Sequence, residues 1–220
     1  MSEKINPHRP LAVYFILLLP TFLVSCLGVS SHIAITSNGS GTIRQEFRIS
    51  QELQSMGNTD GTEGSLPVPT GKEDIERTAD RIAGISLVSY SQRQDEKDLI
   101  INAEFSFDSP EALSALMEND EQQLKIDLKN KKIRLHLSSG DSDSDANSFK
   151  SMMAAAFLGY NFSFSLAVPG TAKAAWFDEN GKAVQQYPGT LVVRNNSVEY
   201  NIPMGELMFL EKALELEISW

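Results

Sequence analysis

Only a few clusters of side chains in this 220-residue chain have the types and spacing for chemistry. The single thiol, Cys26, closes the run Leu23-Val24-Ser25-Cys26 behind an apolar stretch that starts at Leu11. A cysteine placed after a small residue at the end of such a stretch is where a diacylglycerol is joined to sulfur and the chain is cut, leaving an acylated N-terminus. Asp141, Asp143, Asp145 and Asn147 offer oxygen ligands at every second residue, the spacing with which a loop wraps calcium. Ala146 stands where the sharp turn needs glycine, and Met152 where the bidentate acid belongs. A solvated acidic loop that caps the following helix is therefore the favoured reading of those four residues.

The histidines argue against most enzymes. His8 lies in the segment to be removed, His32 lies near the start of the mature chain, and His136 alternates with Leu135 and Leu137, which turns it to solvent. No HExxH, no GxSxG and no second cysteine is present, so zinc hydrolysis and the nucleophile elbow lack their parts. No catalytic residue is assigned, and no cofactor is expected beyond the covalent lipid. The expectation is a protein that is not an enzyme.

The residues around Cys26 resemble a bacterial lipobox. Residues 1–25 have the parts of a lipoprotein signal peptide: a polar start with Lys4 and Arg9, an apolar middle, and Ser25 before the cysteine. A spanning helix needs about 20 apolar residues, and this stretch is shorter and interrupted by Pro20. Residues 26–40 then read as a lipidated tether and first strand, and 30–220 as a single α+β domain. With no second cysteine there is no internal disulfide, so stability must come from packing. The formal charge of −10 repels nucleic acid and anionic headgroups, which leaves acyl chains to hold the protein to the membrane. Leu27 stands where an aspartate would signal inner-membrane retention. The expected location is thus the cell envelope, at the outer membrane where there is one.

A second cluster is apolar. In residues 152–168, Met152 and Met153 can adapt to irregular ligands, and Phe157, Tyr160, Phe162 and Phe164 could line a slot for an acyl chain. The same residues would serve as core. A stripe of Met204, Leu207, Met208 and Leu210 carries the same two readings.

Several elements must position these groups. Alternating residues predict a hairpin over 30–37 and 42–49, turned at Asn38-Gly39-Ser40-Gly41. A long flexible loop is expected at 55–71, and a helix at 72–83 capped by Thr70 with Glu73. Strands at 85–91 and 99–107 precede a helix opened by Ser109-Pro110, and a hairpin follows at 124–128 and 133–137. Then come a helix at 146–158, strands at 162–168, 174–177, 190–194 and 197–202, a helix at 205–213, and a closing alternating strand, LELEISW. A terminal aromatic on an alternating strand also marks outer-membrane barrels, but too few ten-residue alternating segments are present to close one. Hairpins separated by helices predict an α+β fold, a mainly antiparallel sheet with two to four short helices packed on it.

The lipobox cysteine, the Gly39-Ser40-Gly41-Thr42 turn, Phe162-Ser163-Phe164 ahead of Val168-Pro169-Gly170, and the strand Val198-Glu199-Tyr200-Asn201-Ile202-Pro203 together resemble the LppM-type bacterial lipoprotein domain. The resemblance covers most of the mature chain. It implies an envelope or surface lipoprotein for which lipid or glycolipid binding is the attached idea. The chain departs from that pattern in showing no C-terminal transmembrane helix. Two functions follow: a lipoprotein binding a lipid, glycolipid or other apolar ligand, or an interaction protein that meets an envelope or host protein through the 55–71 loop or a sheet edge.

Overall fold

A computed structural model describes residues 27–51, 71–117, 122–137, 157, 159–210 and 212–220. In chain order the elements are β1 (Leu27–Ile35), β2 (Gly41–Ser50), α1 (Lys72–Asp80), β3 (Ile85–Gln94), β4 (Asp98–Phe107), α2 (Pro110–Met117), β5 (Gln122–Asp127) and β6 (Lys132–Leu137). These are followed by β7 (Asn161–Ala167), β8 (Lys173–Asp178), β9 (Ala183–Val184), β10 (Thr190–Val193), β11 (Ser197–Pro203), α3 (Met204–Met208) and β12 (Leu214–Ser219).

The first hairpin forms as its alternation demands, with Ile33 facing Ile43 and Leu27 facing Ile49. Its turn is closed by Thr36, whose N–H and hydroxyl both donate to the Ser40 carbonyl at 2.9 Å. Gly41 is required there: a Cβ at that position would lie 1.9 Å from the Ala34 carbonyl oxygen. Ser109 caps α2, its hydroxyl accepting from the Ala112 N–H at 3.3 Å. The cap expected at Thr70 falls outside the described residues, and the N-cap position of α1 is Gly71, with no side-chain hydrogen bond. Glu73 and Asp74 instead favour the helix's positive end, while Ile75 and Ala79 bury its apolar stripe.

The fold is α+β and dominated by antiparallel pairing, with three short helices among the described residues. The strands divide between two sheets rather than one. The larger has the order β10-β11-β7-β1-β2-β4-β3, the smaller β5-β6-β12-β8-β9. In the larger sheet β1 is central and pairs in parallel with β7, which no hairpin rule would give. On its inner face, rows such as Val198-Leu166-Ile33-Ile43-Phe105 run across the register and are buried. Leu135, Leu216 and Trp176 face them from the smaller sheet, and the buried residues of both sheets join one hydrophobic cluster. Trp176 meets Tyr200 of the larger sheet edge-on, ring centres 4.9 Å apart.

LELEISW forms β12, a central strand with Leu214, Leu216 and Ile218 turned inward, as a half-buried strand requires. His136 is half-buried on the face opposite Leu135 and Leu137. The last helix is shorter than its periodicity predicts, Met204–Met208 rather than 205–213. Of the expected helix at 146–158 only Phe157 is described, in a turn, and of the expected loop at 55–71 only Gly71; Cys26, Met152, Met153, Asp141, Asp143, Asp145 and Asn147 lie outside the described residues. Among the described residues, no helix is long and apolar enough to cross a membrane, and no three His, Cys, Asp or Glu side chains are grouped to hold a metal ion.

Candidate ligand-binding site

Alternation on β7 divides the aromatic tract. Phe162 and Phe164 point inward and are each 1% exposed, so they are core residues rather than lining. Asn161 and Ser163 point to the outer face. Phe157 and Tyr160 lie ahead of the strand, in a turn where the Tyr160 N–H donates to the Phe157 carbonyl at 3.0 Å. The Tyr160 carbonyl in turn accepts from the Met204 N–H at 2.9 Å, which ties the start of α3 to the start of β7.

Between these two starts lies a groove of about 660 Å³. Phe157, Tyr160, Pro188, Pro203, Phe209 and Leu210 supply its apolar lining, and Asn161 and Glu206 its polar side chains. Tyr200 fixes Pro188 from behind, its hydroxyl donating to the Pro188 carbonyl at 3.0 Å. Burial holds the Tyr200 phenol well above its ordinary range, so it stays a donor. A volume of this size suits a drug-sized or acyl ligand, and the mainly apolar wall suits its hydrocarbon.

A second, smaller cavity of about 180 Å³ opens on the outer face of the larger sheet. Its lining is polar: Ser30, Glu46, Arg48, Asn161 and Ser163, with Gly28 as the floor. Gly28 lies opposite Arg48 in the β1–β2 register, and a Cβ there would meet the Tyr160 ring at 3.4 Å and Arg48 Cβ at 3.5 Å. The Arg48 Nε donates to Glu46 Oε1 at 2.9 Å, and that bond holds the guanidinium above its usual range. Beside them Tyr160 donates its hydroxyl to Asp98 Oδ1 at 2.6 Å, and Asp98 is 8% exposed. Gly159, Tyr160 and Asn161 line both cavities, so groove and depression meet at one turn.

Of the six residues expected to line a slot, Phe157 and Tyr160 are brought to the groove, Phe162 and Phe164 are not, and Met152 and Met153 lie outside the described residues. Leu210 joins the groove from the methionine-rich stripe, whereas Met204 and Leu207 are buried in the core. Sequence reasoning missed Glu46, Arg48, Pro188, Pro203 and Phe209. Glu46 and Arg48 do show one signal, two residues apart on a strand and hence on one face.

Compared with protein-family models, curated proteins and solved structures, the chain finds no match.

Proposed function

We propose that this protein is a non-enzymatic lipoprotein of the bacterial cell envelope, fastened by acyl chains on Cys26, whose α+β domain binds a lipid or other apolar ligand in the groove beside Tyr160. One observation carries the reading: the groove opens at the end of the larger sheet where the chain enters. Leu27, the residue after Cys26, begins β1, and the β1–β7 and β7–β11 registers put Asn161 and Pro203, both groove-lining, at that same end. The outer membrane is the proposed address, from Leu27 after the acylated cysteine.

The test is to extract the full-length protein from its membrane in polymer-bounded native discs and identify the bound small molecules by mass spectrometry. Lipid or another apolar compound enriched over the surrounding membrane, and lost in Phe209→Asp, is the expected result. Bound material no different from bulk membrane would sink the reading, as would a mature form that still begins at Met1 and takes up no palmitate.

A second reading, an interaction protein using a sheet edge, is favoured by exposed valines on both edge strands of the larger sheet. Val88 on β3 is 58% exposed, and Val192 and Val193 on β10 are also open to solvent. Protein captured by cross-linking at those edges in cells, with an empty groove, would favour it.

A further inference from the structure

The two cavities differ in chemistry and share a turn, which fits a molecule with two chemically different ends. Building on the ligand-binding reading above, we propose that the ligand is a zwitterionic phospholipid with a primary ammonium. Its acyl chain lies along Phe157, Phe209 and Leu210, and its head lies across the Glu46–Arg48 pair. The tail end follows from the groove's lining.

The head end follows from charge complementarity. Arg48 spends its Nε on Glu46 Oε1. Among the described residues its terminal nitrogens meet no protein acceptor, and Glu46 Oε2 meets no donor. A guanidinium offers parallel donors to a phosphate, and a free carboxylate oxygen accepts from an ammonium. The pair itself carries no net charge and Asp95 and Asp98 also lie within electrostatic reach of Arg48, so a purely anionic head gains at Arg48 but is repelled by the acids, and a purely cationic head is repelled by Arg48. A zwitterion aligned against the pair gains at both. The formal charge of −10 on the whole chain further disfavours an anionic lipid. Ser30 and Asn161 supply polar groups in the depression, and Tyr160 stands where head and tail meet, a ring with one apolar side and one polar tip. Gly28 keeps the floor open, because any side chain there would occupy the depression.

The full-length acylated protein, reconstituted in phosphatidylcholine vesicles, is exposed in turn to three probes with a diazirine near the end of one acyl chain. The probes are a phosphatidylethanolamine, a phosphatidylglycerol and a glucosyl diacylglycerol, and labelled peptides are mapped by mass spectrometry. The phosphatidylethanolamine probe is expected to label residues 203–210 about tenfold more than the others, the factor that one charge-assisted hydrogen bond supplies. Joint substitution Glu46→Gln and Arg48→Gln, both on an exposed sheet face, should equalise the probes while circular dichroism stays unchanged. Equal labelling of the native protein by all three, stronger labelling by the anionic or sugar-headed probe, or a preference that survives the joint substitution would overturn the head-group assignment and leave the groove reading standing. Absence of labelling at 203–210 by every probe would overturn both.

Discussion

Tyr160→Phe removes one hydroxyl and leaves the aromatic wall of both cavities in place. The lost group donates at 2.6 Å to a carboxylate that is 8% exposed, so Asp98 would be left without that donor in a nearly dry setting. Hydrogen bonds to a charged acceptor contribute about 1.5–3 kcal/mol. Tyr160 itself is only half-buried, so water can partly replace the hydroxyl, and about 1.5 kcal/mol is the expected loss. For a domain of this size that lowers Tm by about 3–6 °C. Thermal melts of the full-length protein in lipid discs measure it, and Asp98→Asn with the double variant closes a cycle whose coupling should be about 1 kcal/mol. Bound lipid should persist in Tyr160→Phe, because the substitution keeps the ring and the hydroxyl is already engaged by Asp98. A melt within 1 °C of the parent (about 0.3 kcal/mol) with coupling near zero would refute the reasoning that the Tyr160–Asp98 hydrogen bond stabilises the fold.

The other expectations concern the frame. Gly41→Ala would drive a methyl group to within 1.9 Å of the Ala34 backbone oxygen and should cost about 3 kcal/mol or more. Gly181→Ala, at a positive φ with nothing within 4 Å, should cost only about 1 kcal/mol, and chemical denaturation of both variants checks the contrast. Glu217 on β12 accepts from Lys132 Nζ at 2.8 Å and from Arg134 Nε at 2.9 Å, and the Lys132 bond is the larger cause of holding its carboxyl below the usual range. A carboxyl depressed in the folded state contributes stability that is present above its unfolded value of about 4.3 and is lost as pH falls through the folded value. Glu217→Gln should therefore cost about 0.5–1 kcal/mol at neutral pH and flatten the acid limb of a Tm-against-pH curve; parallel acid limbs in the two proteins would contradict it.

Local pattern was enough for the hairpins because their partners are neighbours in sequence and their apolar residues alternate. Ile33, Ile43 and Phe105 declare their faces, and Ser109-Pro110 declares a helix start, from a few residues each. The parallel pairing of β1 with β7 was not legible, because alternation states which face a strand buries and not which strand lies beside it. The division into two sheets was hidden for the same reason. At the site, the apolar tract was visible but its two uses were not. Phe162 and Phe164 are separated from Tyr160 by strand parity and a turn at Gly159, where φ is +93°. Pro188 and Phe209 come from segments that only the fold brings together. Glu46 and Arg48 look like any solvated strand face until Gly28 is seen between Arg48 and Tyr160.

The proposed acylation gives these placements a direction. Cys26 is one residue from Leu27, where β1 begins, and neighbouring Cα atoms are about 3.8 Å apart, so no linker would intervene between a lipid on Cys26 and the sheet. A free tether would let the domain tumble above the bilayer and present any face to it. A strand that starts one residue after an acylated cysteine would instead turn a fixed end of the sheet toward the lipid. That end carries Ser50 and Asp98, paired across β2 and β4, and Asn161 and Pro203, paired across β7 and β11. Groove and depression are both built there. On the proposed reading, a ligand drawn from the same bilayer would meet its site at the high effective concentration that short tethering provides, which lowers the affinity the groove and the ion pair would have to supply.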